Sequence, residues 1–180
     1  MAIEPDTKNW TWVITTPCPE CGFDANSIDR SRLGDLVREN VAKWPDHVLA
    51  PDAAVRPDPS TWSALEYGCH VRDVFALFDR RLRLMLDTVD PEFENWDQDE
   101  TAVAERYDLQ DPAAVARELV AAGEAVAATW DRVGDGDWER CGFRSDGSVF
   151  TVDSFARYFL HDPVHHLADV TRPTVSGDLR

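Results

Sequence analysis

Residues 60–89 read STWSALEYGCHVRDVFALFDRRLRLMLDTV, and within them Trp62, Leu65, Cys69, Phe75, Phe78, Leu82, Met85 and Leu86 hold one face at helical spacing. The stretch predicts a long amphipathic helix that starts at Ser60 or Thr61 and runs to about Val89, where Asp90-Pro91 stops it. Working outward toward the N-terminus, residues 45–59 carry Pro45, Pro51, Pro57 and Pro59 among several aspartates and read as a connecting loop. Before that loop, Ile28, Leu33, Leu36, Val37, Val41 and Trp44 mark a first helix over 27–44, ended by Pro45.

On the C-terminal side, residues 90–110 are acidic and lack clear periodicity, which predicts a long loop with one helical turn. Asp111-Pro112 is a start signal, since Asp caps free N–H groups and Pro suits the first helical position. Val115, Leu119, Val120, Val126 and Trp130 then trace a third helix, ending near Val133-Gly134. Residues 135–150, with Gly136, Gly142 and the turn Ser145-Asp146-Gly147, read as a loop or small hairpin. Thr151 caps a fourth helix that carries Phe155, Tyr158 and Phe159 and is closed by Pro173. Four long helical patterns and almost no strand signal predict an all-α antiparallel four-helix bundle with long loops. Its expected extent is 27–172, between an irregular N-terminal extension (1–26) and a tail (173–180).

The chain has 180 residues, enough for one well-buried core. Its 34 acidic against 18 basic residues, a formal charge of −16, repel phosphate backbones and anionic lipid, so neither nucleic acid nor membrane is an expected partner. No apolar run approaches the roughly 20 residues that span a bilayer. The start, Met1-Ala2-Ile3-Glu4-Pro5-Asp6, resembles no signal peptide, so a cytoplasmic protein is expected. Cys18, Cys21, Cys69 and Cys141 are then not expected to form a disulfide framework.

Phe159-Leu160-His161-Asp162-Pro163-Val164-His165-His166 packs three of the five histidines into six positions. On a helix His161 and His165 share one face, their Cβ atoms about 5–6 Å apart, close enough to hold one metal ion. A third ligand must come from elsewhere, and His70 is the candidate. Three imidazoles with a fourth position open is the pattern of a catalytic metal, with zinc as the default and nickel or iron equally suited to the ligand type. His166 lies about 100° from His165 and is set outside this group. Pro163 cannot donate to the carbonyl of Phe159, so a local bend is expected between the two ligands. Glu66, Asp73, Asp162 and Asp169 are the carboxylates placed to accept the ligands' other N–H groups.

Two runs carry a family resemblance. Trp62-Ser63-Ala64-Leu65-Glu66-Tyr67-Gly68-Cys69-His70-Val71-Arg72-Asp73 and His161-Asp162-Pro163-Val164-His165-His166 resemble the signature regions of the DinB-like superfamily, which includes the mycothiol-dependent maleylpyruvate isomerase group. The similarity covers roughly residues 28–171. It implies a four-helix bundle with a divalent metal held by His70, His161 and His165, and chemistry on small molecules that uses or transfers low-molecular-weight thiols such as mycothiol. A homodimer is common among such bundles.

Cys18-Pro19-Glu20-Cys21-Gly22 stands outside that resemblance. Its spacing suits half of a zinc knuckle, which normally needs a second cysteine pair that the chain lacks; a redox pair or two reduced structural thiols are the other readings. Cys69 faces the core stripe and Cys141 has no evident partner. The expected activity is that of a metal-dependent enzyme, a thiol-dependent transferase or isomerase or else a hydrolase, with Glu66 and Asp162 as candidate bases. The competing reading is a non-catalytic stress or ligand-binding module stapled by its metal.

Overall fold

The computed structural model describes residues 9–172; residues 1–8 and the expected tail 173–180 lie outside it. Short 3-10 turns at Trp10–Ile14, Ala25–Ser27 and Arg30–Arg32 lead into α1 (Leu33–Val41) and the short α2 (Trp44–Val48). There follow α3 (Ala64–Asp87), β1 (Glu92–Phe93), α4 (Gln98–Ala104), a 3-10 turn at Tyr107–Leu109, α5 (Pro112–Trp130), β2 (Cys141–Arg144), β3 (Val149–Thr151) and α6 (Val152–Thr171). The four-helix bundle is made by α1, α3, α5 and α6.

The three longest helices, α3, α5 and α6, each start where the sequence supplies a cap. The Ser63 hydroxyl accepts from the Glu66 N–H while the Glu66 carboxylate accepts from the Ser63 N–H, a capping box that opens α3. Asp111 accepts from the Ala114 N–H at the head of α5, with Pro112 in the first turn. Thr151 and Ser154 cap α6 reciprocally. Pro45, expected to end the first helix, instead sits in the first turn of α2, where a missing N–H costs nothing. The first helix is accordingly shorter than expected at both ends.

The expected hairpin is β2 and β3, paired antiparallel with Cys141 opposite Thr151, and Gly147 turns at φ +90°, a conformation that suits glycine. The acidic segment 90–110 is more ordered than a loop with one turn. It supplies β1, which pairs parallel to β2 (Glu92 with Phe143), and α4, capped by Asp97. Two-residue strands leave no alternation to read, and the partner of β1 lies some fifty positions away.

Rings from three helices fill the core, with Phe78 and Phe155 centred 4.7 Å apart and Trp130 stacked on Phe159 at 5.9 Å. Gly123 lets α5 press against its neighbours: a Cβ there would stand 2.2 Å from Val41 Cγ2 and 3.3 Å from Phe75 Cε2. No helix among the described residues is long and apolar enough to cross a membrane.

Candidate metal centres

α6 carries two i,i+4 pairs offset by one residue, His161/His165 and Asp162/His166, so they occupy adjacent stripes about 100° apart. α3 meets one stripe and the N-terminal segment covers the other. Two groups of potential ligands result, each with its ligand atoms within 4.8 Å of one another: His70 with Asp162 and His166, and Cys18 and Cys21 with His161 and His165. The expected set of His70, His161 and His165 is thereby divided. His70 faces the 162/166 stripe, and His166, set outside the ligand group on sequence grounds, joins it.

In the first group, His70 is fully buried and stacks on Trp96 (5.5 Å, 15°), with Trp62 tilted against it at 5.4 Å. Its Nε2 lies 3.3 Å from Asp162 Oδ1, yet neither ring nitrogen of His70 nor Asp162 Oδ1 has a hydrogen-bond partner. Buried polar atoms left unpaired cost about 1–3 kcal/mol each, and His70 Nε2 facing Asp162 Oδ1 fits a cation between them. His166 Nδ1 is 3.1 Å from Asp169 Oδ2, which leaves its Nε2 on the Asp162 side, 3.9 Å from Oδ1. A carboxylate behind a ligating imidazole fixes ring and tautomer. Burial would raise the Asp162 pKa, but His70 and His166 beside it bring it down to about 2. Asp162, a candidate base from sequence, is therefore ionised and lies beside His70 and His166.

Glu66 is not at this site. Arg56 forms an ion pair with its carboxylate, and the Ser63 N–H and hydroxyl both donate to it, so it belongs to the α3 cap. Asp73, also expected beside His70, accepts instead from the Tyr107 hydroxyl and the Arg72 guanidinium.

In the second group, Cys18 Sγ is 3.6 Å from His165 Nδ1, and His161 Nε2 is buried without a partner. Trp10 lies over both imidazoles (5.3 and 5.2 Å) and Phe23 edges His161 at 5.4 Å. Burial, with His165 nearby, lowers the His161 pKa to about 4, and burial also lowers that of His165, so both rings are neutral near pH 7 and their lone pairs are available. Between the two stripes, Pro163 leaves α6 unbroken; Asn40 of α1 donates to its carbonyl at 3.0 Å.

Asp162 and His166 of the first group and His161 and His165 of the second border one cavity of about 700 Å³, walled further by Trp10, Glu20, Trp62, Tyr67 and Trp96 and, elsewhere on its lining, by Arg81, Arg144 and Tyr158. With this geometry in place, the sequence comparison is decisive: residues 14–170 match the DinB superfamily. The chain belongs to the DinB superfamily. The match extends further toward the N-terminus than the 28–171 inferred from the two signature runs, and takes in Cys18 and Cys21. Among solved structures, YfiT from Bacillus subtilis, described as a probable metal-dependent hydrolase with an unusual four-helix bundle topology, superposes with a TM-score of 0.68 at 15% identity, over 81% of this chain and 89% of that one. At that identity the likeness carries the fold. Comparison with curated proteins returned no match.

In this DinB chain the residues of the two groups that lie outside the expected metal set of His70, His161 and His165 are Asp162, His166, Cys18 and Cys21. A signal for the last two was present: Cys-x₂-Cys and His-x₃-His are together the ligand spacing of a Cys₂His₂ zinc site, separated here by most of the chain.

Proposed function

We propose that the protein is a divalent-metal-dependent enzyme acting on a small molecule, most simply as a hydrolase, with the ion held by His70, Asp162 and His166. The observation that carries this reading is the approach of the unpartnered His70 Nε2 to the unpartnered Asp162 Oδ1, beside the cavity that Asp162 and His166 line. Three protein donors leave a position for substrate, and two imidazoles with a carboxylate suit zinc or nickel. A divalent ion there supplies Lewis acidity, to polarise a carbonyl or acidify water.

The chain's own residues do the rest. Trp96 stacked on His70 and Trp62 tilted against it keep bulk water from the ring, and Asp169 holds the His166 ring in register. Arg81 and Arg144 bring two guanidinium groups to a cavity that Glu20, Asp97, Asp99 and Asp146 also line. Burial and the neighbouring Arg144 bring the Arg81 pKa down to about 10, and Arg144, although paired with Asp146 at 2.7 Å, keeps a buried Nε with no hydrogen-bond partner. An anionic group on the substrate would relieve that repulsion, so the preferred substrate is a small molecule bearing a carboxylate or similar charge. A low-molecular-weight thiol such as mycothiol would bind in the same cavity.

The test is a panel of small esters, amides and lactones, each with and without an acidic group and with and without mycothiol, assayed on zinc- and nickel-loaded protein. Asp162→Ala and His166→Ala should each lose activity by a hundredfold or more, and Arg144→Ala should raise KM for the acidic substrates. Full activity in both ligand variants would overturn the assignment.

A further inference from the structure

We propose that Cys18, Cys21, His161 and His165 form a second, closed metal site, a tetrahedral Cys₂His₂ zinc site that fastens the N-terminal segment to α6. It uses none of the three ligands proposed above for the active ion.

Several observations converge on it. The four side chains come from two distant parts of the chain and still bring one ligand atom each within 4.8 Å of the others. The cysteine pair is already shaped as a knuckle. Gly22 turns at φ +76°, its N–H donates to the Cys18 carbonyl at 2.8 Å, and the Cys18 N–H donates to the Phe23 carbonyl at 2.8 Å, so both thiols project from one tight turn. Facing them, His161 Nε2 is buried without a hydrogen-bond partner and His165 Nδ1 points at Cys18 Sγ. The opposite nitrogen of His165, Nε2, lies 3.7 Å from carboxylate oxygens of both Glu20 and Asp169, the arrangement that orients a ligating imidazole.

The donor set selects the ion and its role. Two thiolates and two neutral imidazoles match zinc in number, softness and geometry, and the two thiolates neutralise its charge at a buried place. Binding displaces the two thiol protons to solvent and involves no change of oxidation state. Four protein donors leave no position for substrate, so this site is structural. It ties down the segment that carries Trp10 and Glu20 to one wall of the cavity. The metal staple considered as an alternative to catalysis thus has its own ligands beside the proposed catalytic ones.

The experiment is zinc-edge X-ray absorption and elemental analysis on the zinc-loaded wild-type chain, followed by the Cys18→Ser/Cys21→Ser double variant. The wild type should show sulfur scatterers at about 2.3 Å, with two zinc ions per chain if both clusters of donors are filled. The double variant should lose every sulfur scatterer and one ion, and protease should then cut more readily within residues 9–28. Cobalt substitution of the wild type, which needs no variant to fold, should give a sulfur-to-cobalt charge-transfer band. His166→Ala should remove the other ion and leave that band intact. Zinc bound by nitrogen and oxygen alone, or a Cys18–Cys21 disulfide in the zinc-loaded protein, overturns the Cys₂His₂ site and spares the active-ion proposal. A single zinc that keeps its sulfur ligands and is indifferent to His166→Ala does the reverse.

Discussion

Asn40 of α1 and Pro163 of α6 are joined across the bundle: Asn40 Nδ2 donates to the Pro163 carbonyl at 3.0 Å, while Asn40 Oδ1 accepts from Trp44 Nε1 at 2.9 Å. Pro163 stands between the two halves of both ligand pairs, so this buried amide sets the depth of the turn that carries them. Replacing Asn40 by Ala removes both bonds and leaves the Trp44 N–H buried and unpaired. The expected cost is about 2–3 kcal/mol, read as a lower urea midpoint with an unchanged slope, together with weaker zinc binding in a competition titration. Unchanged zinc affinity would show that the turn holds its position without α1.

Arg56 and Glu66 make a second prediction, about pH. Burial pushes the Glu66 pKa up, but the Arg56 bonds and those from Ser63 outweigh it and hold the carboxyl below its ordinary value of 4.5. A depressed carboxylate pKa stabilises the fold fully above pH 4.5, and that stabilisation is lost as pH falls through and below it. Arg56→Ala leaves a buried carboxylate without its cation and should cost roughly 2–4 kcal/mol at pH 7, with a shallower acid limb in stability below pH 4.5. Zinc content should be unaffected, because Glu66 serves the α3 cap. Loss of zinc in a folded Arg56→Ala protein would return Glu66 to the site.

The helices were legible because their apolar spacing and caps are local. Leu65 through Leu86 already mark α3, and Asp111-Pro112 and Thr151 open α5 and α6 where they were expected. What local rules could not say was which neighbour each stripe of α6 would meet. The angle between His165 and His166 correctly places them in different groups, but His70 reaches the 162/166 stripe only because of how α3 packs on α6. Cys18 and Cys21 read as half a motif when only a second cysteine pair counts as its complement, whereas the fold sets against them a histidine pair that begins 140 positions later. β1 was missed for the same reason of distance, since its pairing is made by a strand that local pattern does not connect to it.

His161 makes the third prediction. Its pKa falls from 6.5 to about 4 on folding, through burial and the neighbouring His165, and that of His165 falls as well. In the metal-stripped protein the unfolded chain takes up protons that the folded chain refuses, so stability declines as pH drops from about 6.5 to about 4 and is unaffected by these groups above 6.5. Urea midpoints measured with chelator at pH 7.5 and pH 5 should differ in the wild type. The difference should shrink in His161→Phe. An equal difference in the variant would mean that other groups carry the pH dependence.

Trp96 makes the last. Its ring stacks on His70 at 5.5 Å and its Nε1–H donates to Thr101 Oγ1 at 2.8 Å, so one side chain joins α4 to the proposed active ion's buried ligand. Trp96→Ala removes the wall that keeps water from His70 and frees the ring to turn away from Asp162. Because residues behind a ligand typically change metal affinity by about 10–100-fold, a tenfold or larger loss of zinc affinity is expected at the His70 site. The sulfur-to-cobalt band should be unchanged, since Trp96 does not touch the cysteine group, whereas Trp10→Ala should alter that band and leave the His70 site alone. Parallel losses at both sites in either variant would show that the N-terminal segment and α4 move as one wall, and that the two sets of ligands are coupled through it.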